Sequence, residues 1–298
     1  MNSFETQMVN FKSYVQNERR LSVHTVTSYL SDLNQFQEFL HSTFRMESFG
    51  DATHNEIRTW IAELKESGIS ARSINRKISS LKTLYKYLMI QGVIITTPMN
   101  SIVSPKQSKR LPVYFEQNKL EELFQLEIFQ NTFYGIRDVL MLELLYGTGI
   151  RLSELIHIKE VDIFSNELKV LGKGNKERLV PLTQRLIELL KLYKQSKKEE
   201  FGSCDHEFLL VTNKGNKLYE KFVYRTVNHY LGLVTKENKR SPHTMRHSFA
   251  TNMLNNGAQL QTIKEILGHA NLTATQVYTH NSIERLKDAY KKYHPKEN

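Results

Sequence analysis

The sequence predicts a mainly α protein of the α+β class: a four-helix N-terminal bundle, then a mixed, mostly helical second domain with a small antiparallel sheet. Three observations carry this. Apolar residues recur at spacings of three and four through most of the chain, the mark of amphipathic helices. Ser, Thr and Gly fall where such helices begin and end. Short alternating runs, the strand signal, are confined mainly to one stretch between Val161 and Leu182. A length of 298 residues suggests about two domains, and 40% apolar with 24% charged residues describes a globular chain rather than a disordered one.

The elements follow in order. Phe4, Met8, Phe11 and Val15 lie on one helical face. Ser22 caps a second helix carrying Val26, Leu30, Leu33, Phe36 and Leu40. Thr53 and Glu56 form a capping box ahead of the Ile57, Trp60, Ile61 and Leu64 stripe, and Gly68 closes that helix. Ser70 opens a fourth helix, with Ile74, Ile78, Leu81, Leu84 and Leu88 inward and Gly92 at its end. The bundle is assigned to residues 1–97. Residues 98–112, with Pro98, Pro105 and Pro112 around Lys106, Lys109 and Arg110, read as a basic linker to a second domain over 113–298. Helices are expected there at 117–127, 134–146, 152–158, 183–198, 219–233, 242–256, 260–267, 272–279 and 282–293. Strands are expected at 161–164, 167–171 and 177–182, with a further one at 208–211.

Charge narrows the function. The net charge is +10, a surplus found on both parts of the chain, which points to a polyanionic partner, nucleic acid before membrane. On the fourth helix Arg72, Arg76, Lys77, Lys82 and Lys86 are either a solvated face or a face that meets phosphates. The lone cysteine, Cys204, excludes an internal disulfide framework and any multi-Cys metal site, and fits a reducing compartment. No apolar run approaches a membrane span, and the first residues lack a secretory pattern, so a cytoplasmic, nucleoid-associated protein is expected.

Four segments carry chemistry: Tyr146 to Leu155, Leu171 to Arg178, Ser241 to Thr251, and Leu267 to Asn271 followed by Thr275 to His280. Arg151 follows two glycines at a helix start, either gripping an anion or pairing with Glu154 at the surface. Lys173 sits at a Gly-Lys-Gly hairpin tip, without the spacing of a nucleotide loop. His243 and Arg246 lie three apart behind a Ser241–Pro242 helix start, which suits a phosphate or else buries the His. His243 and His247 mimic half a zinc site, but no Glu lies between them and there is no Cys cluster. His269 could cap a helix end, and Tyr278 is one of 14 tyrosines. Taken together, two Arg, two His, one Lys and one Tyr form a set for phosphoryl transfer in which cationic donors stand in for a metal's charge.

With these motifs the chain resembles the tyrosine recombinases (the site-specific recombinase/phage integrase family), and is most similar to their Xer-type members, over essentially its whole length. The resemblance implies that the bundle is a SAM-like core-binding domain and that 113–298 is the catalytic domain, ending in an exchange helix that packs into a neighbouring protomer. It implies that Tyr278 is the nucleophile forming a 3′-phosphotyrosyl link. Arg151 and Arg246 hold the non-bridging oxygens, Lys173 protonates the leaving 5′-oxygen, His243 assists proton transfer and His269 donates to a phosphate oxygen. Glu154 is implied as a supporting carboxylate that orients Arg151 or the neighbourhood of His243. No cofactor and no metal are implied. The implied partners are double-stranded DNA carrying a recombination site, copies of the same chain in a tetramer that passes through a Holliday junction, a paralogous recombinase and a DNA translocase. DNA contacts are expected from Arg72, Arg76, Lys77, Lys106, Lys109 and Arg110. Resolution of chromosome dimers is the role expected first; an integrase or invertase of a mobile element, a type IB topoisomerase-like enzyme and a non-catalytic DNA-binding protein stand as alternatives.

Overall fold

The computed structural model describes residues 3–106, 113–125, 129–164, 166–172, 176–202, 207–237, 239–268 and 280–296. The chain forms two compact units, Met1–Arg110 and Leu111–Asn298. The first is the helical bundle. Helix α1 (Phe4–Ser13) runs into a π-helical turn, Tyr14–Glu18, and is followed by α2 (Val23–Phe44), α3 (His54–Glu66) and α4 (Ala71–Ile90). The expected caps are in place: Ser22 Oγ accepts from Thr25 N, Ser70 Oγ from Ser73 N, and the Thr53–Glu56 box closes through Thr53 N donating to Glu56 Oε2 at 2.7 Å. Inside, Phe36 meets Trp60 at a ring separation of 4.8 Å and stacks on Phe49 at 6.1 Å. Tyr85 donates to the Phe49 carbonyl, and burial raises its phenol pKa.

Two features of this unit correct the sequence reading. Lys77, grouped with the phosphate-facing cations, is buried: its ammonium donates to Asp32 Oδ1 at 3.0 Å and to Gln35. Arg76 Nη1 reaches Asp32 Oδ2 at 2.6 Å, and Ser80 donates to the same oxygen. One buried carboxylate therefore ties α2 to α4 and takes Lys77 out of the exposed basic face, where Arg72, Arg76, Lys82 and Lys86 remain. The start of the expected linker also belongs to this unit. A 3-10 turn, Pro98–Ser101, buries Met99, Ile102 joins the same core, and the Pro105 carbonyl accepts from Asn75 Nδ2.

The second unit is built around α6 (Phe133–Thr148), which is buried along most of its length, consistent with its near-continuous apolar sequence. Around it lie α5 (Gln117–Gln125), the short α7 (Leu152–Leu155), α8 (Gln184–Phe201), α9 (Glu220–Val234), α10 (Pro242–Asn255), α11 (Leu260–Leu267) and α12 (His280–Tyr293). The sheet is antiparallel in the order β1 (Ile163–Phe164), β2 (Glu167–Leu171), β3 (Glu177–Pro181), with Leu168 opposite Val180 and Val170 opposite Arg178. Val161 and Asp162, expected in the first strand, form a 3-10 turn instead.

The strand expected at 208–211 is two isolated bridges, Lys159 with Phe208 and Val211 with Lys217. Side chains take the backbone groups a ladder would need: Lys197 Nζ donates to the Phe208 and Leu209 carbonyls, and Val211 N donates to Tyr193 Oη. The helix expected at 152–158 ends at Leu155, because the Ile158 carbonyl is already accepting from Leu209 N as the chain turns into its bridge. The helix expected at 272–279 lies outside the described residues.

The C-terminal segment docks on its own unit. Leu286 and Tyr290 are buried in that core. Tyr290 Oη and His294 Nε2 both donate to the Gly147 carbonyl, His294 at 2.8 Å. Lys296 reaches Glu143 and lies over the Phe124 ring. Among the described residues no helix is long and apolar enough to cross a membrane.

Candidate active site

The site grows from two glycines at helix ends. Gly149, at the C-cap of α6, has φ +61°. Gly268, at the C-cap of α11, has φ +64°. Both are left-handed positions that glycine occupies without strain. The first turns the chain so that Arg151 becomes the N-cap of α7; the second leaves the last carbonyls of α11 facing the same place.

Three guanidinium groups converge there. Arg246, on α10, is 6% exposed and donates from Nη1 to the Gly149 carbonyl and from Nη2 to the Leu267 carbonyl at 2.7 Å. Arg178, on β3, donates from Nε to the Ile266 carbonyl at 2.9 Å. Arg151 Nη2 lies 3.4 Å from the Gly268 carbonyl. Successive carbonyls at the negative end of α11 thus each face a different arginine.

One carboxylate sits among them. Glu154 Oε1 accepts from Arg151 Nη1 at 2.7 Å and Arg178 Nη1 at 3.0 Å; Oε2 accepts from Arg178 Nη2 at 2.8 Å and from the Arg151 backbone N–H at 2.8 Å. Burial opposes its ionisation, but the hydrogen bonds and charge of Arg178, and then those of Arg151, hold its pKa below the usual carboxylate value. Burial, and secondly the charge of Arg151, pull the Arg246 guanidinium down to about 9, which leaves it charged at neutral pH. Three cations against one anion leave a surplus of positive charge in a half-closed site. A phosphodiester supplies the missing negative charge and matches guanidinium geometry.

His243 stands one helical turn before Arg246, exposed at the start of α10, where Ser241 Oγ accepts from Thr244 N. The same helix anchors the incoming chain: Ser248 Oγ accepts from Phe115 N at 2.8 Å, and Asn252 Nδ2 donates to the Phe115 carbonyl and to Tyr146 Oη. His247 is partly buried, with its ring 6.5 Å from that of Tyr114, and burial lowers its pKa. Among the described residues no cluster of His, Cys, Asp and Glu could hold a metal.

The structure thus brings together Arg151, Arg246 and Glu154, with His243 on the same helix as Arg246. Lys173, His269 and Tyr278 lie outside the described residues, as do Lys109, Arg110 and Cys204. Lys106 is exposed in the first unit. Arg178 was assigned no role from sequence. The signal was its parity: in β3 it alternates with Glu177 and Leu179 and shares the buried face with Val180.

Comparison with known proteins gives this arrangement its relatives. The phage integrase family matches residues 114–285, and the N-terminal SAM-like domain of phage integrases matches residues 8–92. The chain is 38% identical to the tyrosine recombinase XerC of Bacillus subtilis (strain 168), covering 96% of this chain and 95% of that one. It is 36% identical to the tyrosine recombinase XerC of Chlorobaculum tepidum, covering 96% and 93%. Among solved structures it shares its fold with the XerH site-specific recombinase bound to palindromic difH substrate in a post-cleavage complex (TM-score 0.72, 23% identity, 95% of this chain and 84% of that one). It shares it also with a lambda integrase tetramer bound to a Holliday junction (TM-score 0.69, 17% identity, 91% and 75%). On these matches the chain belongs to the phage integrase family, as a tyrosine recombinase of the Xer type.

Proposed function

We propose that this chain cuts and rejoins duplex DNA at a specific site through Tyr278. The Tyr278 oxygen attacks the scissile phosphorus, the bond from phosphorus to the 5′-oxygen breaks, and a 3′-phosphotyrosyl link stores the bond energy for rejoining. Arg151 and Arg246 hold the non-bridging oxygens. Lys173 gives its proton to the leaving 5′-oxygen, His243 takes up the tyrosine proton, and His269 donates to a phosphate oxygen. Tyrosine and lysine are both protonated at neutral pH, which suits one to be deprotonated in a cationic field and the other to act as acid. The observation that carries this reading is the gathering of Arg151, Arg178 and Arg246 around the single carboxylate of Glu154.

The exposed Arg72, Arg76 and Lys106, with Lys109 and Arg110, contact the DNA backbone in this reading. Lys77 does not, since its ammonium is already held by Asp32. Four copies assemble on two sites and pass through a Holliday junction, and α12, docked on its own unit in the single chain, is exchanged to a neighbour in that assembly. The role proposed is resolution of chromosome dimers in the cytoplasmic nucleoid, with a paralogous recombinase as partner and a DNA translocase as activator.

Covalent trapping tests this. The protein is incubated with nicked duplexes from the replication-terminus region of its source chromosome, in the presence of chelator. An SDS-resistant adduct that disappears in Tyr278→Phe is expected. Tight, site-specific binding without an adduct, even after a paralogue is added, would leave only a DNA-binding protein.

A further inference from the structure

Arg178 differs from the other two arginines of the site. It is 4% exposed, and all three of its nitrogens are engaged: Nε with the Ile266 carbonyl, Nη1 and Nη2 with the two oxygens of Glu154. Gly268 and Gly172 close over it; a Cβ on Gly268 would stand 3.0 Å from Arg178 Cδ, and one on Gly172 would stand 3.4 Å from Nη1. A group so enclosed does not reach a substrate. Arg151, by contrast, has a side chain 35% exposed and gives Glu154 only Nη1 and its backbone N–H.

A carboxylate has about four acceptor sites, and four bonds reach Glu154, two from each arginine. Its orientation is therefore fixed, and with it that of Arg151. Without Arg178, Glu154 would be a buried anion with Arg151 as its one bonded cation. Arg151 would then be drawn toward the carboxylate and away from a phosphate. A buried Arg–carboxylate pair adds little net stability over an apolar pair of the same volume, so stability alone is a weak reason to keep one here.

We infer that Arg178 is a positioning residue for DNA cleavage: by clamping both oxygens of Glu154 it aims Arg151 at the scissile phosphate. This rests on the recombinase reading above and deepens it.

The test uses the full chain and the nicked duplex of the trapping assay, with Arg178→Met and Arg178→Lys. Three quantities are read: the rate of adduct formation, the dissociation constant for the duplex, and the pH dependence of the rate. Arg178→Met is expected to slow adduct formation about 100-fold, the scale of losing one transition-state donor, while binding stays within about threefold of wild type. Relative to wild type, part of that loss should be recovered as pH drops from 7 to 5. The charged groups facing Glu154 are Arg151, Arg178 and Arg246, and without Arg178 its pKa rises, so that its protonated form releases Arg151. Arg178→Lys keeps the buried charge without the bidentate clamp. It should recover part of the rate and remain slower than wild type, and it carries the test if Arg178→Met does not fold. Wild-type rates in Arg178→Lys, or equal losses of binding and cleavage with a lowered unfolding temperature in both variants, would overturn the inference. Absence of any wild-type adduct would instead overturn the recombinase reading on which it stands.

Discussion

Gly149→Ala should damage this protein far more than Gly147→Ala, two residues earlier in the same helix. At Gly149 the backbone is left-handed, which costs a residue with a Cβ about 1–2 kcal/mol. The new Cβ would stand 2.5 Å from Phe249 Cδ1 and 2.7 Å from Leu267 Cδ2, both on buried side chains, and such overpacking costs about 1–3 kcal/mol. Stiffening of the unfolded chain returns about 0.4–1 kcal/mol. The net loss is about 1–5 kcal/mol, or about 2–20 °C in unfolding temperature at about 2–4 °C per kcal/mol for a unit of this size. Gly147 has ordinary helical geometry and would meet the end of a Leu186 side chain at 3.2 Å and, at ordinary contact distance, the His294 ring at 3.7 Å, so helix propensity offsets the contact and the change should stay within about 1 kcal/mol. Calorimetry on both variants measures this. Because the Gly149 carbonyl is an acceptor for Arg246, Gly149→Ala should also slow adduct formation at temperatures where it remains folded. A shift below about 2 °C for Gly149→Ala, or equal shifts for both, would refute the argument from backbone and contact.

Further outcomes follow from other parts of the molecule. Asp32→Asn leaves the Lys77 ammonium buried without its carboxylate and should cost the first unit about 3–5 kcal/mol, read by urea unfolding. His294 is buried and neutral, its pKa pulled down to about 4 chiefly by burial, so below its unfolded value of 6.5 the unfolded chain binds the extra proton. Its contribution to stability is therefore intact above pH 6.5 and is lost as pH falls from 6.5 toward 4; His294→Gln should flatten the unfolding temperature in that window. DNA affinity should fall with salt at a log–log slope of about −0.9 per phosphate contact, and a slope near zero in a filter-binding titration would contradict contacts by the exposed arginines and lysines.

What was legible in the sequence was what is local. Ser22, Thr53, Glu56, Ser70 and Ser241 cap the helices they precede, because a cap needs only the next three residues. Arg151 and Arg246 could be chosen because glycines and a Ser–Pro start announced special backbone around them. What failed depended on partners distant in sequence. Lys77 reads as one more surface lysine until Asp32 is brought against it. The run at 208–211 has strand composition, but Lys197 and Tyr193 on another helix take its backbone groups. Arg178 was hidden for the same reason: its carboxylate lies 24 residues earlier and its carbonyl 88 residues later. The π-helical turn at Tyr14–Glu18 left no mark in the apolar spacing, which continues through Val15.

The carbonyls of Ile266, Leu267 and Gly268 have a consequence for the timing of catalysis. Like charges do not gather unaided, and Arg151, Arg178 and Arg246 repel one another. The end of α11 and Glu154 serve them as a resident stand-in for the anion, so the grouping is assembled as the chain folds and is already in place when DNA arrives. Little rearrangement then remains for the reaction itself: an incoming phosphodiester has only to outcompete weakly held carbonyls, such as that of Gly268 at 3.4 Å from Arg151, for donors that already point its way.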